Sequence, residues 1–219
     1  MEGPKASSFH PLDYEPAARF QHCGAVASDG KFYSYGGRFG HIKPGSSSYK
    51  AKDELRRRET SSSVVRATIN RFDIATERWH CLPTTGNPPP GRIGVACAIV
   101  GSKFYVFGGR SRNRLFSSLS ELDLDTMIWK ELEPLSPPEN TPMAKMGAAM
   151  VSFDNRYLIV YGGYGVPAVS PGQAQSVEYV QDPGKGVWTN ELHCFDLRTG
   201  MLCYIVSHSY MYIPGGKSL

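Results

Sequence analysis

The 219-residue chain is 41% hydrophobic and 20% charged, the make-up of a globular protein with a sizeable core. Its net charge of +4 is mild, and the one basic run, Lys52-Asp53-Glu54-Leu55-Arg56-Arg57-Arg58, is diluted by acids, so no nucleic-acid partner is expected. Apolar runs such as Val95–Val100 are too short for a membrane span, and the five scattered cysteines form no C-x-x-C pair, so neither a membrane partner, a zinc site nor a disulfide framework is indicated. A reducing compartment, cytosol or nucleus, is the expected location.

Residues 1–18 read as an N-terminal tail without the apolar core of a signal peptide. Three units follow, at about 19–86, 87–136 and 137–205, and residues 206–219 read as a C-terminal tail. Each unit opens on a small-residue strand: HCGAVAS in the first, GVACAIV in the second, MGAAMVS in the third. Each continues with a β-branched or aromatic run that ends in glycines, KFYSYGGR, KFYVFGGR and YLIVYGGY. Each closes on a pair of strands around a turn, RFDIATERW, ELDLDTMIW and CFDLRTGML. Within these pairs a large apolar residue (Phe72, Leu122, Phe195) precedes an aspartate (Asp73, Asp123, Asp196). Trp79 and Trp129 follow six residues later, with Leu202 in the third place. The aspartates sit where a side chain satisfies turn amides.

Four short strands cannot bury both faces of their own sheet, so each unit must stack on copies of itself. Paired glycines suit a strand end that turns sharply where another chain comes close. Radial stacking of four-stranded sheets is a β-propeller. The fold class is therefore all-β, with three four-stranded blades. Propellers close with about 4–8 blades, so three make a partial propeller. Either the chain is a fragment of a longer protein, or open blade edges drive self-association.

The pattern of a hydrophobic run, Gly-Gly, a spaced apolar residue and Trp resembles the kelch repeat over about residues 19–205. The third unit, with Lys145-Met146-Gly147, Tyr161-Gly162-Gly163-Tyr164-Gly165 and a long loop ending in Lys185-Gly186-Val187-Trp188, is similar to the third blade of the kelch domain-containing protein 2 family. The first-unit insertion, 38–66, is similar too. That resemblance implies a non-enzymatic substrate receptor of cullin-RING ubiquitin ligases, which grips free protein C-termini ending in Gly-Gly at the channel mouth. Tyr164, Lys145 and Trp188 match family positions, and Lys185 lies one residue from a family arginine. GGRSRNR, with Arg110 and Arg114, resembles a carboxylate-gripping segment that the family carries in a later blade. Cullin-RING ligase components would be partners of a longer form.

Independently of the resemblance, Arg38, Arg110 and Tyr164 each follow a Gly-Gly pair, so repeat symmetry puts them at one height around the axis. Guanidiniums beside a tyrosine would suit a carboxylate. The other reading is that these arginines stack on blade aromatics or bridge loop carbonyls, and that Trp188 packs its own loop down. The six histidines share no ligand-like spacing, no phosphate loop or nucleophile elbow is present, and no cofactor is expected. Binding of protein or peptide C-termini leads. A kelch scaffold for cytoskeletal or transcriptional partners is the alternative, and metal-dependent catalysis would need ligands on one loop face.

Overall fold

The computed structural model describes residues 14, 16, 19–39, 68–112, 114–133, 141–166, 186–204 and 210–211. Blade one is an antiparallel sheet of β1 (Arg19–Val26), β2 (Lys31–Phe39), β3 (Ile69–Asp73) and β4 (Arg78–Leu82), in that order. Before blade two comes β5 (Thr85–Gly86), which pairs in parallel with that blade's last strand. Blade two holds β6 (Ala96–Val100), β7 (Lys103–Phe107), β10 (Leu119–Asp123) and β11 (Ile128–Leu132). A small ribbon of β8 (Arg110–Ser111) and β9 (Arg114–Leu115) projects between its second and third strands.

Blade three is β13 (Ala149–Phe153), β14 (Tyr157–Tyr161), β17 (Leu192–Asp196) and β18 (Leu202–Tyr204). Beside it lies a second sheet in the order β12 (Ala144–Met146), β15 (Tyr164–Val166), β16 (Val187–Thr189) and β19 (Tyr210–Met211). The sequence reads 167–190 as loop between two strands. The structure instead places the end of that loop, β16, and the three residues before it, β15, in this extra sheet, while residues 167–185 lie outside the described residues, as do most of the first-unit insertion and most of both tails.

Alternation fixes the packing. On one face of blade one, Cys23, Tyr35 and Ile69 meet Phe104, Leu122 and Trp129 of blade two. On the far face of blade two, Ala96, Tyr105 and Phe107 meet Met150, Leu158 and Phe195 of blade three. Trp129 is 1% exposed and lies 5.6 Å from the ring of Tyr35 across the junction, so this tryptophan serves two sheets. Truncating a buried aromatic of this size costs about 3–5 kcal/mol. Leu202 fills the third place and is just as buried. The turn aspartates act locally: Asp73 Oδ1 accepts from the Ala75 and Thr76 amides, Asp123 Oδ1 from those of Asp125 and Thr126, and Asp196 Oδ1 from that of Arg198.

The glycine pairs explain how the blades dock. Gly36 and Gly108 hold left-handed φ values of 72° and 66°, and a Cβ on either would sit 2.6 Å from a carbonyl of the next blade, that of Arg92 or Lys145. The second glycine then uses its amide: Gly37 N–H donates to Arg92 O and Gly109 N–H to Lys145 O, both at 2.8 Å. A side chain would block the approach that these bonds need.

Candidate functional site: an axial cavity between the blades

The strand pairings place the three blades in common register. Tyr35, Phe107 and Tyr161 lie opposite Cys23, Ala96 and Ala149, so Gln21, Gly94 and Gly147 are equivalent positions two residues earlier. All three are left-handed, with φ of 57°, 61° and 69°. They also bond to one another in sequence: Gly94 N–H donates to Gln21 O at 2.9 Å and Gly147 N–H to Gly94 O at 2.7 Å. The inner strands thus run side by side in an arc around one axis.

At this arc opens a cavity of about 560 Å³. Blade one supplies Gln21 and His22, blade two Gly94 and Val95, and blade three Met146, Gly147, Ala148, Tyr164 and Trp188. The lining is mainly apolar, with a phenol, an imidazole and an amide as its polar groups. Tyr164 and Trp188 face each other across the β15–β16 pairing, with ring centroids 5.2 Å apart at 63°. Trp188 remains 55% exposed, so its ring is presented rather than packed away. Burial pulls the His22 imidazole below its ordinary value, with the charge of Arg19 adding to the effect.

The structure divides the residues expected at the mouth. Tyr164 and Trp188 come together in the cavity wall. Arg38, Arg110 and Tyr164 do share one height, paired with Phe20, Ile93 and Met146 respectively. Only Tyr164 of the three lines the cavity, so the expected convergence of two guanidiniums on it is corrected. Arg110 Nε and Arg114 Nε are buried without a hydrogen-bond partner among the described residues. The Arg114 guanidinium lies 5.4 Å from the centre of the Phe116 ring, which agrees with stacking on a blade aromatic. Lys185 lies outside the described residues.

Lys145 is also corrected. Its side chain is wholly buried, and its Nζ donates to Glu191 Oε2 at 3.0 Å, with His193 Nε2 3.3 Å from the same oxygen. It cannot offer an ammonium to a ligand while held there. Burial pulls the Lys145 ammonium below its ordinary value, against the charge and hydrogen bond of Glu191. Burial would raise the Glu191 carboxyl, but His193 and Lys145 outweigh it and hold the group below its usual range.

The reason is a repeat that the glycine pairs alone do not reveal. Arg19, Arg92 and Lys145 are equivalent, each two residues before the left-handed position and three after a proline (Pro16, Pro89, Pro142). Arg92 Nη1 donates to Gly108 O and Ser118 Oγ, both at 3.0 Å, and its guanidinium lies 3.7 Å over Phe116. Arg19 Nη1 reaches Gly36 O at 3.4 Å. Ser118 and Glu191 are themselves equivalent, each immediately before the third strand of its blade. One basic residue per blade therefore pins the blade's own glycine turn or third strand. The pattern Pro-x-x-[Arg/Lys]-x-[Gly/Gln] was the available signal.

Among the described residues no group of three or more His, Cys, Asp or Glu converges as a metal site would require.

A family model described as the KLHDC2/KLHL20/DRC7 Kelch-repeats domain matches residues 56–218. This chain belongs to that kelch-repeat family. Kelch domain-containing protein 2 of Bos taurus is 35% identical over 96 residues, 44% of this chain and 23% of its own. Acyl-CoA-binding domain-containing protein 5 of Arabidopsis thaliana is 39% identical over 93 residues, 42% of this chain and 14% of its own. The N-(sulfonatooxy)prop-2-enimidothioate sulfolyase of Thlaspi arvense is 30% identical over 149 residues, 68% of this chain and 36% of its own. The matched parts thus span well under half of each curated relative. The solved structure of YjhT superposes on 88% of this chain and 56% of its own, with a TM-score of 0.59 at 19% identity, which shows the kelch propeller fold.

Proposed function

We propose that the axial cavity receives the C-terminal segment of a partner protein, and that the chain acts in substrate recognition for a cullin-RING ubiquitin ligase in the cytosol or nucleus. The observation that carries this reading is the pairing of Tyr164 with an exposed Trp188 in the wall of an apolar, open cavity. Aromatic walls grip small, flexible residues such as Gly-Gly by contact area at low entropic cost. The likeness of the third blade to the kelch domain-containing protein 2 family supports the choice of a terminal carboxylate as the polar end of the ligand.

Calorimetric titration with a synthetic peptide ending in Gly-Gly tests this, alongside the same peptide with a C-terminal amide. The free acid should bind, and the amide should lose about tenfold or more, as expected for one charge-assisted hydrogen bond. Trp188→Ala should weaken the free acid at least as much. Equal binding of acid and amide would sink the carboxylate reading. Unchanged binding in the Trp188→Ala chain would move the site elsewhere.

A further inference from the structure

The inner strands of blades one and two carry one cysteine each, Cys23 in β1 and Cys97 in β6. Alternation turns the two toward each other. Cys23 shares the core face of blade one with Tyr35 and Ile69, and Cys97 packs against that same cluster from blade two. The strands run side by side at this point, because Gly94 N–H donates to Gln21 O at 2.9 Å just before both cysteines. Common register makes Ala96 the equivalent of Cys23 and Met150 the equivalent of Cys97. Ala96 and Met150 occupy one core cluster at the next junction, so these two positions meet where one blade docks on another. At the first junction both are thiols.

Cys23 and Cys97 are free, Cys23 buried and Cys97 half-buried, and their sulfurs lie within hydrogen-bonding reach of each other. Burial, with the Cys97 sulfur beside it, pushes the Cys23 thiol up, so Cys23 rests protonated. Cys23 Sγ also donates to Tyr35 O at 3.7 Å, a long bond that holds the sulfur only weakly. Oxidant therefore reaches Cys97 first, with a second sulfur already beside it.

We propose that Cys23 and Cys97 form a peroxide-responsive pair that closes a disulfide across the first blade junction. The Cys97 sulfur attacks a hydroperoxide and the O–O bond breaks. The thiol proton goes to the departing oxygen, which leaves as water or an alcohol, and Cys97 becomes a sulfenic acid. The Cys23 sulfur then attacks the Cys97 sulfur. The S–O bond breaks, the S–S bond forms, and the Cys23 proton leaves with the oxygen as water. Two thiols are oxidised to one disulfide, and one peroxide is reduced by the two electrons they give up. The bond lies directly behind the cavity wall, since His22 precedes Cys23 and Val95 stands two residues before Cys97. Oxidation thus fixes blade one against blade two at that wall, and a dithiol reductant releases it. The inference stands whatever the cavity binds.

Hydrogen peroxide treatment of the folded chain, then alkylation and non-reducing tryptic mapping, tests it without any peptide ligand. The tryptic peptides 20–31 and 93–103 each hold one cysteine. They should appear as one linked species, lighter than their sum by two hydrogens, that dithiothreitol separates. Hydrogen exchange gives the second reading. The Gly94 amide, bonded to Gln21 O at the cavity rim, should exchange about tenfold more slowly in the oxidised chain. Cys97→Ser should fold as the wild type does and show neither change. Oxidation of the exposed Cys81 with peptides 20–31 and 93–103 left unlinked would overturn the inference. So would a link that forms only in urea, because native packing would then be holding the sulfurs apart. A linked chain with unchanged Gly94 exchange would overturn the fixing of the wall.

Discussion

The turn after blade two and the turn after blade three carry the same glycine pair with nearly the same φ at its first residue, 66° at Gly108 and 69° at Gly162. Beside the first lies the Lys145 carbonyl at 2.6 Å from a Cβ there, and beside the second no described residue comes nearer than Thr189 O at 3.5 Å. The difference separates two reasons for glycine that sequence cannot separate. One is conformational and holds at every blade: a left-handed turn that L side chains rarely adopt. The other is contact and exists only where another blade arrives. Blade one to blade two and blade two to blade three are thus finished joints, where both reasons act at once.

Breaking the finished joint at its pin should have the largest effect. Lys145→Ala leaves the Glu191 carboxylate buried without its ammonium, a change that costs about 3–5 kcal/mol in comparable pairs. Urea unfolding measures it, and Lys145→Met combined with Glu191→Leu should recover most of the loss. A cost for the single change below about 1 kcal/mol would mean that the pair behaves as a solvated one.

The two glycines give the next effect and sharpen the comparison directly. Alanine at either site meets left-handed strain of about 1–2 kcal/mol. At Gly108 it must also displace the Lys145 carbonyl, so Gly108→Ala should exceed Gly162→Ala by more than about 1 kcal/mol. Equal costs would show that contact adds nothing to conformation.

The smallest effect is acid sensitivity, which should distinguish the Glu191 pin of blade three from the neutral partners of Arg92 in blade two. The Glu191 carboxyl is held below its ordinary value in the fold. Its stabilisation is therefore complete above the unfolded value, near 4.3, and fades as pH falls through the lower folded one. Between about pH 5 and 3 the wild-type chain should lose stability more steeply than a Glu191→Gln chain, which starts from a lower plateau. Parallel slopes would remove Glu191 from the account.

The strands were legible because their signals are local. KFYVF and YLIVY show β-rich runs, the small-residue strands precede them, and the aspartate turns sit at fixed offsets, so fold class and blade number follow from the sequence alone. Tyr164 and Trp188 were placed together by likeness to a family, and the structure brings them into one wall. Lys145 shows the limit. A basic residue ahead of a strand reads the same whether it faces the axis or lies beneath a turn. Its partner Glu191 stands across a long loop, with no local pattern to announce it. Once the glycine pairs are used as a ruler, Pro16-x-x-Arg19, Pro89-x-x-Arg92 and Pro142-x-x-Lys145 align. The second sheet of blade three escaped for a similar reason: β15 and β16 are three residues each, too short for periodicity to register.

The chain of bonds from Gly147 to Gly94 to Gln21 has a consequence for how the cavity could read a peptide. The amides of Gly94 and Gly147 and the carbonyls of Gln21 and Gly94 are spent on one another. A bound segment therefore finds no free ladder there and cannot be held as an added strand, the mode by which exposed sheet edges capture extended peptides. Whatever enters must be recognised at its tip and by the surfaces of rings, with sequence selectivity confined to the few residues that reach the bottom.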